Sequence, residues 1–291
     1  MADLKKKRAE NIEGEFWVDS TCIDCDTCRW MAPDVFGRSG EMSAVEQQPT
    51  RPDLRRQSME ALLSCPTQSI GMSPPSKELA KIRKSFPQLL SDDIYYNGFH
   101  DSKSYGASSY FIRHSDGNIL VDVPRFDPVL ISRLEEMGGV KHLFMTHKDD
   151  VGDHQRFVDH FGCTRILHAS ECVGELSVVE QPIEGFGAKP FLDHGTFIPT
   201  PGHTEGSMCL LWRDTLFTGD HLAWSVRLGH LYAFKNHCWS SWDVLVESMA
   251  SLKAYDFRRV LPGHGRRWER ESVEAMAEDF EICLKWCREI D

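Results

Sequence analysis

Four cysteines near the start of the chain, Cys22, Cys25, Cys28 and Cys65, have the types and spacing of metal ligands. The first three lie at three-residue steps, so one loop can turn their thiolates toward a compact iron-sulfur cube, and Cys65, followed directly by Pro66, can supply the distant fourth ligand. A second series begins with Thr146-His147-Lys148-Asp149-Asp150-Val151-Gly152-Asp153-His154. It continues with Thr200-Pro201-Gly202-His203-Thr204, Phe217-Thr218-Gly219-Asp220-His221 and Leu261-Pro262-Gly263-His264-Gly265. One histidine alone would be an ordinary surface or core residue. Recurring imidazoles and carboxylates beside glycines, which let backbone approach closely, point instead to a metal that activates water or oxygen.

The elements needed to position these residues can be read from the apolar pattern. Asn118 to Asp122 reads as a strand, Pro128 to Met137 as a helix closed by Gly138-Gly139, and Val140 to Thr146 as the next strand. A helix then runs to Phe161. Phe197 to Pro199, a hairpin turning near Arg213-Asp214, and Arg258 to Val260 bring the remaining ligand runs to strand ends, where an α/β protein builds its site. Ser73-Pro74-Pro75-Ser76 and Ser85-Phe86-Pro87 break both helix and strand. The expected organisation is a flexible N-terminus over residues 1–14, a cysteine domain over 15–73, a linker over 74–93 and a metal-binding domain over 94–291.

Composition limits the rest. Ten cysteines in 291 residues, with no apolar segment behind the basic start, read as reduced thiols in a cytoplasmic protein, not a disulfide framework. Zinc sites normally use paired Cys-x2-Cys arms, unlike three cysteines on one loop. No run of apolar residues is long enough to span a membrane. A net charge of -11 disfavours nucleic acid as a ligand, and the basic run Lys5 to Arg8 reads as a solvated terminus. Asp19, Asp24, Asp26 and Asp34 crowd the cysteine loop, so that face would suit a basic electron-transfer partner, or would merely be solvated. Cys283 and Cys287, four apart on the last helix, are expected as buried thiols, with Cys163, Cys172 and Cys209 also packing.

The cysteine region resembles single-cluster bacterial-type ferredoxins over roughly residues 15 to 73, with Ala32-Pro33-Asp34-Val35-Phe36 after the loop and Cys65-Pro66-Thr67 near the end. Where two-cluster ferredoxins carry a further cysteine-proline pair this chain has Ala32-Pro33, so one 4Fe-4S cluster is implied. From about residue 94 to 270 the chain resembles the metallo-β-lactamase fold superfamily. The shared features are a strand bearing Asp122, a His-Asp-His loop, Pro-Gly-His-Thr, Thr-Gly-Asp and a final Pro-Gly-His. The resemblance implies an α/β (α+β) protein, an αββα sandwich with one or two divalent ions along one edge, preceded by a small ferredoxin-like α+β domain. It places His147 and His203 at a first metal position, Asp153, His154 and His264 at a second, and Asp220 between them.

The sequence departs from the family at one loop. The usual His-x-His-x-Asp-His is replaced by a longer run without the middle histidine, whose place would fall to Asp149 or Asp150, with Asp149 favoured because it keeps the two-residue step from His147. A carboxylate there tilts the site toward iron or manganese relative to zinc. His221 is expected to support a ligand, and the stretch Arg227 to Trp242, with His237, Cys238 and Trp239, to form a wall over the site or an apolar contact.

The leading expectation is a metallo-hydrolase of a small-molecule ester, thioester, lactone, amide or phosphoester, with Asp153 or Asp220 handling the proton. The alternatives are an oxidoreductase whose non-haem iron exchanges electrons with the cluster, and a non-catalytic carrier or assembly factor.

Overall fold

The computed structural model describes residues 2–290, which form two compact units. The first takes in the chain up to Asn118 together with Val123–Val140 and Gly152–Phe161. Its cysteine region is built on the antiparallel pair Phe16–Val18 and Ile70–Met72 and the hairpin Phe36–Ser39 with Met42–Val45. Phe16, Val45, Met59 and Ala61 close its core. Helix Pro52–Ser64 starts at a proline whose missing N–H costs nothing in the first turn, and stops where Pro66 prevents its continuation, leaving Cys65 as its C-cap.

The N-terminal residues, expected as flexible, are tied down: Asp3 N–H donates to Asp19 Oδ2 at 2.9 Å, and Lys7 forms a β-bridge with Asp19. The stretch read as a linker holds helix Glu78–Arg83 and strand Gln88–Ser91. That strand continues through Ile94–Tyr96 and Tyr110–Ile112 as an antiparallel set, packed on Phe86, Phe99 and Phe111. Helix Pro128–Glu136, whose first turn is capped by the Asp127 carboxylate, also belongs to this unit, as does His154–Phe161.

The second unit contains two sheets. Ile119–Val121, His142–Phe144, Thr164–His168 and Gln181–Ile183 run parallel, and their fully buried Ile119, Leu120, Val121, Leu143 and Phe144 have the continuous apolar character that two-sided burial demands. The other sheet has the order Lys189–Phe191, Gly195–Pro199, Met208–Trp212, Thr215–Gly219, Arg259–Pro262, Trp268–Glu269. It is antiparallel except where Thr215–Gly219 runs parallel to Arg259–Pro262. Phe144 of the first sheet meets Phe197 of the second at 4.9 Å between ring centroids. On the other face, helices Trp242–Ser251 and Val273–Glu289 bury Leu245, Met249, Phe280, Cys283, Leu284 and Cys287 in one cluster with Leu216 and Val260. The two cysteines of the last helix are thus core thiols, as are Cys163 and Cys209, while Cys172 is half-buried. Asp122, His147, His203, Asp220 and His264 each follow a strand of this unit, which puts the loops carrying the candidate ligands at strand ends.

Candidate metal centre

The loop after His142–Phe144 makes a short 3-10 turn, Lys148–Asp150, and this turn decides which aspartate faces inward. Asp150 is 3% exposed, whereas the side chain of Asp149 is 41% exposed. Asp150 Oδ2 lies 3.8 Å from His147 Nε2 and 3.7 Å from His264 Nδ1, and Asp149 Oδ2 lies 3.9 Å from His203 Nε2. Of the two aspartates, Asp150 is the one turned inward, while Asp149 stands at the edge of the site beside His203.

Two overlapping ligand sets result, His147 with His203 and Asp220, and Asp150 with Asp220 and His264, each with donor atoms within 4.8 Å of one another. Asp220 belongs to both. His147 Nε2, His203 Nε2 and Asp150 Oδ2 are buried without a hydrogen-bond partner. Such atoms are costly unless something satisfies them, and a cation held by each set would do so.

The electrostatics fit the same purpose. Burial lowers His147 to about 3 and also lowers His203, so both imidazoles are held neutral, the form that binds a metal. Burial pushes Asp150 well above the usual carboxylate range, with Asp220 adding to it. At Asp220 burial acts upward, but His264, His147 and His203 outweigh it and hold the carboxyl well below its ordinary range. His264 donates from Nδ1 to Asp220 at 2.8 Å.

The orientation of His147 is fixed from behind. Asp122, at the end of its strand, accepts from Thr146 Oγ1 at 3.0 Å, and Thr146 Oγ1 in turn accepts from His147 Nδ1 at 3.0 Å, leaving Nε2 for the site. Burial raises Asp122 to about 7. Gly219, at φ +49°, leaves room for this chain, since a Cβ there would sit 2.4 Å from Thr146 Oγ1. His221, 1% exposed, has both ring nitrogens unpartnered and is held neutral by burial, which lowers it to about 3.

Glu171 was missed by the sequence reading. It is fully buried, and its carboxylate accepts from the backbone of both ligand loops, from Lys148 N–H at 2.9 Å and from Gly206 N–H at 2.7 Å. Gly206 allows that approach, because a Cβ would meet Glu171 Cγ at 2.5 Å. Nothing local marks this residue, because its partners lie 23 and 35 positions away.

Asp153 and His154, expected at the second position, are members of neither set and fall in the first unit, where Asp153 pairs with Lys103 and Arg156. The segment expected as a wall folds over the His203 loop: Trp239 N–H donates to His203 O at 2.8 Å and Cys238 Sγ to Gly202 O at 3.0 Å. The Trp239 indole is 64% exposed, 6.5 Å from the His203 ring.

In the first unit Cys22, Cys25, Cys28 and Cys65 line one cavity with Val18, Ile23 and Ile70. None is in a disulfide. Burial pushes the Cys25 thiol up to about 11 and raises Cys28 and Cys65 as well, so thiolates are kept there only against a cationic centre. Backbone N–H groups of Ser43 and Ser69 already point at Cys22 Sγ and Cys65 Sγ, at 3.4 and 3.3 Å. The acidity expected around this loop is largely compensated, since Asp24 pairs with Arg29 and Arg38, Asp26 pairs with Arg29, and Asp19 is buried.

Residues 18–72 match the family model of the 4Fe-4S single cluster domain of Ferredoxin I. Over 188 residues, 62% of this chain and 79% of the relative, the protein is 24% identical to one from Methanocaldococcus jannaschii described as a probable metallo-hydrolase. It superposes on the DIM-1 metallo-β-lactamase exposed to ceftazidime with a TM-score of 0.51 at 16% identity, covering 67% of this chain and 95% of that one. The protein has the metallo-β-lactamase fold. In the same chain, ahead of that fold, it carries a single-cluster 4Fe-4S ferredoxin domain.

Proposed function

We propose that the protein is a metal-dependent hydrolase of a small-molecule ester, thioester, lactone, amide or phosphoester, with His147, Asp150, His203, Asp220 and His264 as ligands to one or two divalent ions. The observation that carries this is the pair of ligand sets sharing Asp220, with buried donor atoms on His147, His203 and Asp150 that have no other partner. A divalent ion held there lowers the pKa of water toward neutrality and polarises the oxygen under attack. Asp220, whose carboxylate faces both imidazole sets, would orient the attacking water, while Asp153 is engaged in ion pairs with Lys103 and Arg156. Thr146 and Asp122 keep His147 in the tautomer that presents Nε2. The exposed Trp239 offers an apolar surface to the part of the substrate that does not react.

Asp150 also favours a second reading, in which non-haem iron at this site exchanges electrons with the cluster. A carboxylate where the family has an imidazole gives three histidines and two aspartates, a harder donor set that suits iron or manganese better than one richer in imidazole would. Purification without air, followed by counting zinc, iron, manganese and sulfide per chain, separates the two. Iron and sulfide for one 4Fe-4S cluster plus zinc, with turnover of an acyl or phosphoester substrate, is the expected result, while iron beyond the cluster and no hydrolysis would favour the redox reading.

A further inference from the structure

Three buried polar side chains lead away from the cysteine cavity in single file. Thr27 Oγ1 lies 3.3 Å from Cys25 Sγ and 3.0 Å from His100 Nδ1, and His100 Nε2 lies 2.7 Å from the Tyr96 hydroxyl. Thr27 is 1% exposed, His100 0% and Tyr96 1%. A cluster-bound thiolate sulfur can only accept, so with the cluster in place Thr27 Oγ1–H donates to Cys25 Sγ. Its oxygen then accepts from His100 Nδ1–H, and Nε2 of the neutral imidazole accepts from the Tyr96 hydroxyl at 2.7 Å, a shorter contact to a stronger acceptor than Met31 Sδ at 3.6 Å. All three contacts are satisfied in one direction, with every dipole pointing its positive end at the cluster ligand.

The rings are held in that geometry by packing and by a cation. Trp30 stacks on His100 at 6.5 Å between centroids and meets Tyr96 edge-on at 5.6 Å. Arg125 binds three carbonyls at once, those of Cys65 at 3.1 Å, Leu63 at 3.0 Å and His100 at 3.4 Å, which ties the His100 backbone to the helix end carrying the fourth cysteine. Thr27 lies within the matched ferredoxin residues, but Tyr96, His100 and Arg125 lie beyond residue 72. A ferredoxin module alone would therefore lack most of this chain.

We infer that His100 is a positioning residue for the cluster: through Thr27 it directs a polarised hydrogen-bond chain at Cys25 Sγ and so raises the cluster's reduction potential. Hydrogen bonds to a ligand sulfur stabilise the reduced cluster, which carries the greater negative charge. The inference rests on Cys22, Cys25, Cys28 and Cys65 holding a 4Fe-4S cluster, and its test reports on that separately.

The experiment is a redox titration of the full-length, anaerobically purified protein at fixed pH, followed by the electron paramagnetic resonance signal of the reduced cluster, with iron and sulfide counted on every sample. His100→Leu and Thr27→Val are expected to keep the cluster and shift the midpoint to more negative potential. His100→Gln, which can still donate to Thr27, is expected to recover part of the shift, and the double variant is expected to match Thr27→Val alone, because the three groups act as one chain. Tyr96→Phe removes one hydroxyl without altering the packing and is expected to shift the potential in the same direction by less. An unchanged midpoint in Thr27→Val or Tyr96→Phe with the cluster intact would overturn the inference, as would additive shifts in the double variant. A wild-type protein without sulfide would overturn the cluster assignment, and with it the inference.

Discussion

The two ligand sets of this protein are assembled in opposite ways. The cysteine set is local, with three cysteines inside one seven-residue stretch that leads into helix Thr27–Met31 and the fourth on the cap of a single helix, so its chemistry is concentrated in sequence. The histidine–aspartate set comes from four strand-end loops, and no one segment defines it. A local set tolerates movement of the scaffold around it. A dispersed set depends on whatever fixes the loops to one another, and here that is the shared Asp220 and the buried Glu171.

Replacing the shared ligand should break the dispersed site most. Asp220→Asn is expected to lower hydrolytic kcat/KM roughly a thousandfold, equal to about 4 kcal/mol of barrier, and to release the divalent ion, while sulfide per chain stays unchanged. Steady-state kinetics with metal analysis on one preparation checks both arms.

Glu171→Ala comes next. It unties the His147 and His203 loops without touching a ligand, and should weaken divalent-metal affinity by about 10–100-fold in chelator competition. Glu171→Gln keeps one acceptor oxygen and should fall between it and the wild type.

How much of this was legible in the sequence follows the same division. The cysteine ligands were marked by spacing and by Pro66, because a loop that wraps one cluster must repeat its ligands at short range. The candidate ligands His147, His203, Asp220 and His264 stand out in the sequence by their strand ends and glycines, and the fold brings them into two groups that could hold a metal. The choice between Asp149 and Asp150 was not marked, since it turns on the 3-10 geometry of Lys148–Asp150, and spacing alone favoured the outward residue. Asp153 and His154 match a family pattern, yet the described structure pairs Asp153 with Lys103 and Arg156. Glu171, His100 and Arg125 act only through long-range contacts, for which a single sequence carries no periodic signal. The basic N-terminus looked loose by composition, and the buried acceptor Asp19 that anchors it could be recognised only once its burial was known.

The smallest effect expected is on the scaffold of the dispersed site. Arg165, on the parallel strand Thr164–His168, is buried and bonded to Glu180, which it holds down at about 2, against burial acting upward. A carboxylate depressed in the folded state stabilises above its unfolded pKa and loses that contribution as pH falls, here between about 4.5 and about 2. Glu180→Gln should therefore cost about 1–3 kcal/mol at neutral pH, somewhat less given the partial exposure of Glu180. It should also flatten the acid limb of the stability curve in denaturant unfolding, with kcat and cluster content unchanged.

The central claim is that the two sets fill and work separately, the cysteines holding one 4Fe-4S cluster and the histidines and aspartates holding the ion that drives hydrolysis. Cys65→Ser, prepared without air and assayed for iron, sulfide, divalent metal and ester or phosphoester turnover together, tests it most directly. Loss of sulfide and cluster iron with divalent metal retained and turnover unchanged is the predicted result. Turnover that falls in proportion to the sulfide would contradict it and make the cluster part of the reaction.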